Sequence, residues 1–394
     1  MVNFAERMDN VKASEIRELL ALTARPEVIS FAGGLPAPEL FPVEKMLAAT
    51  EAVLKENGRQ ALQYGPTDGY TPLRQHIVNR MKARNKIETD VSHILMTAGS
   101  QQGLDYVARL FCDPGDVVIM ESPSYLGAIN AFNLSQPKYV EIPTDEHGMI
   151  MEELEKVLAT TDRVKFIYVI PDFQNPSGRT WPLERRQKFM EIVNKYEIPV
   201  VEDNPYGELR FAGEFLPSLK SMDPKELVIY LGTFSKILAP GYRLGWICAS
   251  HEFIEKFNLI AQAAVLQTAT PSMMVISKFL DMYDLDEHVA TLLPTYKHRC
   301  DLMMQCIKEY FPAEVKYTIP DGGLFTWAEL PEYIDTKEMA TQALAQNVAY
   351  VPGAGFFPNG GVKNCMRLNY SCSTDDRIVE GIKRLAEVIK ANLK

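Results

Sequence analysis

Between about residue 45 and residue 285 the chain repeats one pattern: a short apolar run, a turn, then an amphipathic stretch. The runs ILMT (94–97), VVIM (117–120), VKFIYVI (164–170), PVVE (199–202), LVIYL (227–231) and GWICA (245–249) read as strands buried on both faces. Between the third and fourth, Phe189, Ile192, Val193 and Tyr196 recur at helical spacing, the core stripe of a crossover helix. Strands alternating with helices predict an α/β fold built on a mostly parallel sheet with helices on both faces. Ligands of such sheets gather at the carboxyl edge of the strands.

The flanks differ. Residues 14 to 24 predict a helix, with Ser14 as N-cap and Ile16, Leu19 and Leu20 on one face. FAGGLPAPELFP (31–42) is too rich in Gly and Pro for regular structure and predicts a loop crossing between elements. After about residue 290 a long helix (288–310) precedes KYTIP, GGLFTWAEL, VAYVPG and MRLNYS, strands of a smaller α+β domain. The expected division is an N-terminal arm and covering loop (1–44) associated with the small domain, a large domain (45–287) and a small C-terminal domain (288–394).

Charge and cysteine usage narrow the function. Against 41 Lys plus Arg stand 51 Asp plus Glu, and no basic run stands out, which argues against nucleic acid or an anionic membrane as partner. The six cysteines form no C-x-x-C pair and the six histidines are scattered, so no metal site is expected. Reduced thiols, the lack of an apolar signal segment and the lack of an apolar stretch of spanning length predict a soluble, cytoplasmic protein.

The chemistry sits after the strands. ILMT leads into AGSQQG, where a glycine turn, a hydroxyl and an amide at a helix start make an anion site, although Ser100 could equally be a simple cap. VKFIYVI leads into PDFQNPSG, with Asn175 before a proline. PVVE leads into DNPYGEL, with Asp203 at the strand end and Tyr206 three residues on. LVIYL leads into GTFSKILAPGYR, which sets Thr233, Ser235, Lys236 and Arg243 within eleven residues, the lysine among Phe234, Ile237 and Leu238. Alone, each has an ordinary explanation as a cap, a turn or a surface charge. Together they supply phosphate donors, a lysine in apolar surroundings and a strand-end carboxylate. Pyridoxal phosphate (PLP) needs all three: an amine for its aldehyde, a carboxylate for its pyridine nitrogen and donors for its phosphate.

In order and spacing FAGGLPAPELFP, QYGPTDGYTPLR, AGSQQGLD, SPSYLGA, QNPSG, VEDNPY, LGTFSKILAPGYRLGW and RLNYS resemble the fold-type I PLP-dependent class I aminotransferases. The likeness is greatest to the branch holding 2-aminoadipate aminotransferases, kynurenine aminotransferase II and the catalytic domains of MocR-type regulators. It covers nearly the whole chain. It implies a seven-stranded type of large-domain sheet, and Lys236 as the residue that binds the cofactor's aldehyde. Asp203 would pair with the pyridine nitrogen, Asn175 and Tyr206 would meet the phenolic oxygen, and Tyr125 would stack on the ring. Ser100, Gln101, Ser235 and Arg243 would hold the phosphate, with Thr233 close by and Tyr64 reaching in from a second subunit of a homodimer. Arg367 would grip the substrate α-carboxylate, with Asn175 beside it, and the loop at Gly34 would close over the pocket. Arg17 matches an arginine that meets acidic side chains; a solvated helix arginine is the competing reading, and the sequence leaves both open.

The expected activity is transamination between an L-amino acid (2-aminoadipate, aromatic or branched apolar) and a 2-oxo acid such as 2-oxoglutarate. The same cofactor also serves lyases and decarboxylases, and related domains sense effectors in transcription regulators. The some 30 residues before FAGGLP leave no room for a winged-helix module. A nicotinamide dehydrogenase is excluded because no strand leads into a G-x-G-x-x-G turn.

Overall fold

The computed structural model describes residues 2–10 and 25–394; the helix expected at 14–24, and Arg17 in it, lie outside the described residues. The apolar runs form one sheet, in the order Ile94–Thr97, Gly245–Cys248, Val228–Thr233, Val200–Asp203, Val164–Val169, Val117–Ser122, Lys138–Asp145, with a two-residue ribbon, Gly148–Met149, at its far edge. Neighbouring strands are parallel except for Gly245–Cys248, which is antiparallel to both its neighbours, and the ribbon. The mostly parallel sheet is therefore as expected: seven strands plus the ribbon.

Four of the strands, Ile94–Thr97, Gly245–Cys248, Val228–Thr233 and Val200–Asp203, are buried throughout, which is why they read as unbroken apolar runs. Lys138–Asp145 has no such signature. It carries one fully buried residue, Ile142, and includes Pro143, so its sequence looks like a polar connection. The crossover helix runs Leu183–Tyr196 and buries Phe189, Ile192 and Val193 as the spacing predicted, with Met190 and Arg186 beside them.

A second sheet holds Lys316–Tyr317, Phe325–Glu329, Cys365–Asn369 and Val351–Pro352 in that order, all antiparallel. Ile29–Ser30 pairs in parallel with Val348–Ala349. Phe31 N–H donates to Ala349 O at 2.8 Å and Asn369 N–H to Phe31 O at 2.9 Å. These bonds moor the loop that follows, which is irregular apart from the short 3-10 turn Pro38–Leu40.

The helix Leu285–Tyr310 belongs to two cores. Leu285, Val289, Leu292 and Tyr296 pack with the residues under the large sheet, whereas Cys300, Met303, Cys306 and Ile307 pack with the second sheet. The change of core falls inside one continuous helix.

Candidate active site

The parallel strands end on one edge, and the one antiparallel strand begins there. Gly245 pairs with Thr97 on one side and Thr233 on the other, which brings Arg243, two residues earlier, to the same edge. Lys236 and Ser235 follow Thr233; Ser100 and Gln101 follow Thr97; Tyr125 follows Ser122; Asn175 follows Val169; Tyr206 follows Asp203. From the second sheet comes Arg367, paired in register with Trp327 and Val351, and from the moored loop comes Gly34. All twelve residues line a single cavity of about 720 Å3. A cleft of this size at the carboxyl edge suits a small molecule.

Lys236 reaches into the cavity half-buried, and its Nζ donates to Gly34 O at 2.7 Å. Among the described residues no carboxylate pairs with it. Loss of hydration and the nearby Arg367 and Arg243 guanidiniums, which disfavour another cation, lower its pKa from 10.5 to about 8. The amine thus gives up its proton far more readily than an ordinary lysine.

Asp203 is 2% exposed. Its Oδ2 accepts from the Tyr168 hydroxyl at 2.9 Å, while its Oδ1 is buried with no partner among the described residues. Burial lifts the carboxyl to about 7, against the smaller opposing effect of the Tyr168 bond. A buried acceptor left open beside a cavity suits a ligand that brings a cationic N–H.

Asn175, Tyr206 and Arg367 form one hydrogen-bonded unit. Asn175 Nδ2 donates to Tyr206 Oη at 3.2 Å, and its Oδ1 accepts from Arg367 Nη1 at 2.9 Å. The second arm of Arg367, Nη2, donates to Ala32 O at 2.8 Å, and its Nε is buried without a partner among the described residues. Arg367 is 1% exposed, and its guanidinium lies 4.2 Å from the centroid of the Phe325 ring. Burial lowers its pKa to about 10, which still leaves it charged at neutral pH. The Asn175–Pro176 peptide is cis.

The opposite end of the cavity gathers donors. Gly99, at φ +81°, caps the helix Ser100–Phe111, so Ser100 stands in the first turn rather than at the cap, and the first N–H groups of that helix face the cavity end. Ser235 N–H and the Thr233 hydroxyl are joined at 3.1 Å, Thr233 Oγ1 lies 3.0 Å from Ser235 Oγ, and Arg243 Nη1 approaches Ser235 Oγ at 3.5 Å. Arg243 Nη2 donates to Ala98 O at 3.1 Å, folding the guanidinium over Gly99. The Gln101 side chain donates to Gly127 O at 2.8 Å, so it links two helix starts. Tyr125 stands half-buried at the head of the helix Leu126–Phe132.

Tyr64 lies outside the cavity and is 79% exposed. Two residues that matter to the site were not anticipated. Tyr168 reads in VKFIYVI as one more core residue, although a buried tyrosine hydroxyl needs a partner and that need was the available signal. Phe325 packs at right angles to Tyr206, ring centroids 5.7 Å apart, and nothing in GGLFTW marks it.

Comparison with known proteins agrees with this geometry. Residues 28–385 match the family model described as aminotransferase class I and II. Aromatic-amino-acid aminotransferase 1 of Thermococcus litoralis is 48% identical over 99% of this chain and 95% of its own. The 2-aminoadipate transaminase of Thermus thermophilus is 41% identical over 99% and 97%. Among solved structures, Pyrococcus horikoshii kynurenine aminotransferase, crystallised with pyridoxamine phosphate, superposes with a TM-score of 0.95 at 43% identity, covering 99% of this chain and 98% of that one. The chain belongs to the class I and II aminotransferases. It is a PLP-dependent transaminase of fold type I, and the open Asp203 acceptor, the uncompensated lysine and the donor-rich far end fit that cofactor.

Proposed function

We propose that this enzyme transfers the amino group of aromatic L-amino acids and 2-aminoadipate to a 2-oxo acid such as 2-oxoglutarate, using the twelve cavity residues as its site. The observation that carries the site assignment is one cavity lined by Lys236, Asp203 and Arg367 together. When bound, PLP supplies an aldehyde that captures amines and a ring that withdraws electrons from the substrate Cα. Lys236 anchors it, and once freed its neutral Nζ takes the proton from the substrate Cα. Asp203 Oδ1 would pair with the pyridine nitrogen, and Asn175 and Tyr206 would hydrogen-bond the phenolic oxygen. Tyr125 covers the ring, and Arg367 holds the α-carboxylate as a two-point donor. Ser100, Gln101, Thr233, Ser235 and Arg243 hold the phosphate, and Gly34 brings backbone over the substrate.

The donor range rests on the named activities of the two relatives. Phe325 at the Arg367 guanidinium gives an aromatic or long aliphatic side chain an apolar contact. Arg17 remains our candidate for an acidic side chain and lies outside the described residues.

A homodimer completes the phosphate end. Arg243 and Gln101 are exposed in the single chain, which leaves that end open. Tyr64, Leu62, Leu54 and Leu47 are all more than half exposed, as are Leu259 and Leu266, apolar side chains that a partner could cover. A second subunit covering that surface would bring its own Tyr64 to the phosphate. Two separate cores support a large and a smaller unit, with the change of core falling between Tyr296 and Cys300 rather than at 287, and the pairing of Ile29–Ser30 to Val348–Ala349 ties the arm to the smaller one. The six free cysteines suit a cytoplasmic setting.

The test is the absorbance spectrum of the PLP-loaded protein followed by a donor panel with 2-oxoglutarate. Bleaching of the visible cofactor band by tyrosine, phenylalanine and 2-aminoadipate is expected. A protein that takes up PLP but responds to none of them would overturn the donor range. Leu54→Asp with Leu62→Asp should give a monomer that holds PLP more weakly; sedimentation showing an unchanged dimer would refute the interface.

A further inference from the structure

Behind the cavity a carboxyl that the proposed chemistry does not use is buried at the end of a central strand. Glu121 is 2% exposed. Its Oε1 accepts from Trp181 Nε1 at 2.9 Å, and its Oε2 faces Gln174 Nε2 at 3.4 Å and Ile170 N–H at 3.5 Å. Trp181 is itself fixed, fully buried, edge-on to Phe189 at 5.2 Å and pressed on Gly148.

Gln174 spends every polar atom of its side chain. Nε2 donates to Pro123 O at 2.7 Å, and Oε1 accepts from Ser177 N–H at 2.9 Å and Ser177 Oγ–H at 2.6 Å. Pro123 is two residues before Tyr125, and Ser177 is two residues after Asn175. A single carboxamide therefore donates into the loop that carries Tyr125 and accepts from the loop that carries Asn175. A carboxamide can rotate end for end, and reversal would set a donor against Ser177 N–H and an acceptor against Pro123 O. Glu121 Oε2 lies on the Nε2 side, where its carboxylate form favours the observed orientation together with Pro123 O and Ser177 N–H.

We propose that Glu121 and Gln174 are positioning residues that lock the Tyr125 loop to the Asn175 loop and so set the gap in which cofactor ring and substrate sit. The inference rests on the site assignment above. Placing a carboxyl where water cannot reach is costly, and packing alone would favour an apolar side chain of the same volume. What the acid supplies here is direction. Asn175 passes any displacement on, because it bonds both Tyr206 and Arg367.

The test compares PLP-loaded wild type with Gln174→Met, Glu121→Gln and the exchanged pair Glu121→Gln with Gln174→Glu. Steady-state KM and kcat, the pH midpoint of the visible cofactor band and thermal unfolding are measured on each. Gln174→Met should fold and attach PLP, raise KM for the amino acid roughly tenfold, the worth of one buried hydrogen bond, and displace the spectral midpoint. Glu121→Gln should act in the same direction, and the exchanged pair should fall short of the product of the single losses because it restores one donor–acceptor contact. Unchanged KM and midpoint in Gln174→Met, or strictly multiplicative losses, would overturn the proposal; Gln174→Met decides alone if Glu121→Gln does not fold. Borohydride trapping of PLP on Lys236 in the wild type is the separate control. Its failure refutes the site assignment, whereas trapped cofactor with unaltered variants refutes only the lock.

Discussion

Arg367 and Asn175 share a hydrogen bond at 2.9 Å, although they are 192 positions apart and come from different sheets. The group proposed for the substrate carboxylate and the group proposed for the ring oxygen are therefore one mechanical unit. Arg367→Lys keeps the charge but gives up the planar fork. It should raise KM for the amino donor by about ten- to a hundredfold, which corresponds to one or two charged hydrogen bonds. Asn175→Ala should weaken the same binding. The double variant should show coupling of about 0.5–3 kcal/mol in a kinetic cycle. Additive losses would show that the bond does not link the two roles.

Lys236→Ala should lower kcat by about a hundredfold to ten-thousandfold, the worth of a positioned base, while PLP still binds without covalent attachment. The pH dependence of attachment is a stricter check. The lysine is lowered to about 8, and only its neutral form attacks an aldehyde. The rate at which PLP-free enzyme captures PLP should climb as pH rises through about 8 and then level off. Arg367→Gln removes one of the charges that depress the lysine, so its midpoint should move up. Stopped-flow absorbance reads both, and a midpoint near 10.5 in the wild type would contradict the assigned environment.

Asp203 gives a prediction of opposite sign. Its folded pKa is raised from 3.8 to about 7, so folding favours the protonated acid. That contribution is complete below about 3.8 and is lost as pH rises to about 7, above which the PLP-free fold carries an uncompensated buried anion. At pH 8 Asp203→Asn should therefore melt a few degrees above wild type without PLP. With PLP the order should reverse, because only the carboxylate can pair with a protonated ring. Thermal melts at pH 5 and pH 8, with and without cofactor, settle it. A variant that melts lower at pH 8 without PLP would show that Asp203 is already compensated.

How much of this was legible depended on burial. Strands covered on both faces announce themselves, so ILMT (94–97) matched its element to the residue and the neighbouring strands differed by one or two positions. The Lys138–Asp145 strand lies near an edge and stayed hidden because partial exposure permits polar residues. The site's titratable groups showed in the sequence as strand-end residues, since a carboxyl edge concentrates function. The resemblance then gave them roles, and for Arg367 it was the sole guide. Tyr168, Glu121 and Gln174 were not legible because their meaning lies in contacts across strands, such as Tyr168 to Asp203, that only sheet order creates. Tyr64 is exposed in the single chain, and its expected role depends on the proposed dimer.

Gly99 offers a test of the phosphate end that deletes none of the proposed donor side chains. Its backbone is left-handed at φ +81°, and a Cβ there would stand 2.6 Å from Arg243 Nη2. The guanidinium lies there because Nη2 reaches across the turn to Ala98 O. Gly99→Ala must therefore strain the turn, expel the guanidinium, or both, and the helix start at Ser100 shifts with it. The expected result is PLP affinity reduced about tenfold or more, consistent with losing one charged hydrogen bond to phosphate. Attachment at Lys236 should be retained at saturating cofactor, because the lysine follows a different strand, Val228–Thr233. Equilibrium dialysis of PLP alongside borohydride trapping separates these outcomes. Wild-type affinity in Gly99→Ala would mean that Arg243 does not contribute to phosphate binding from the position it occupies.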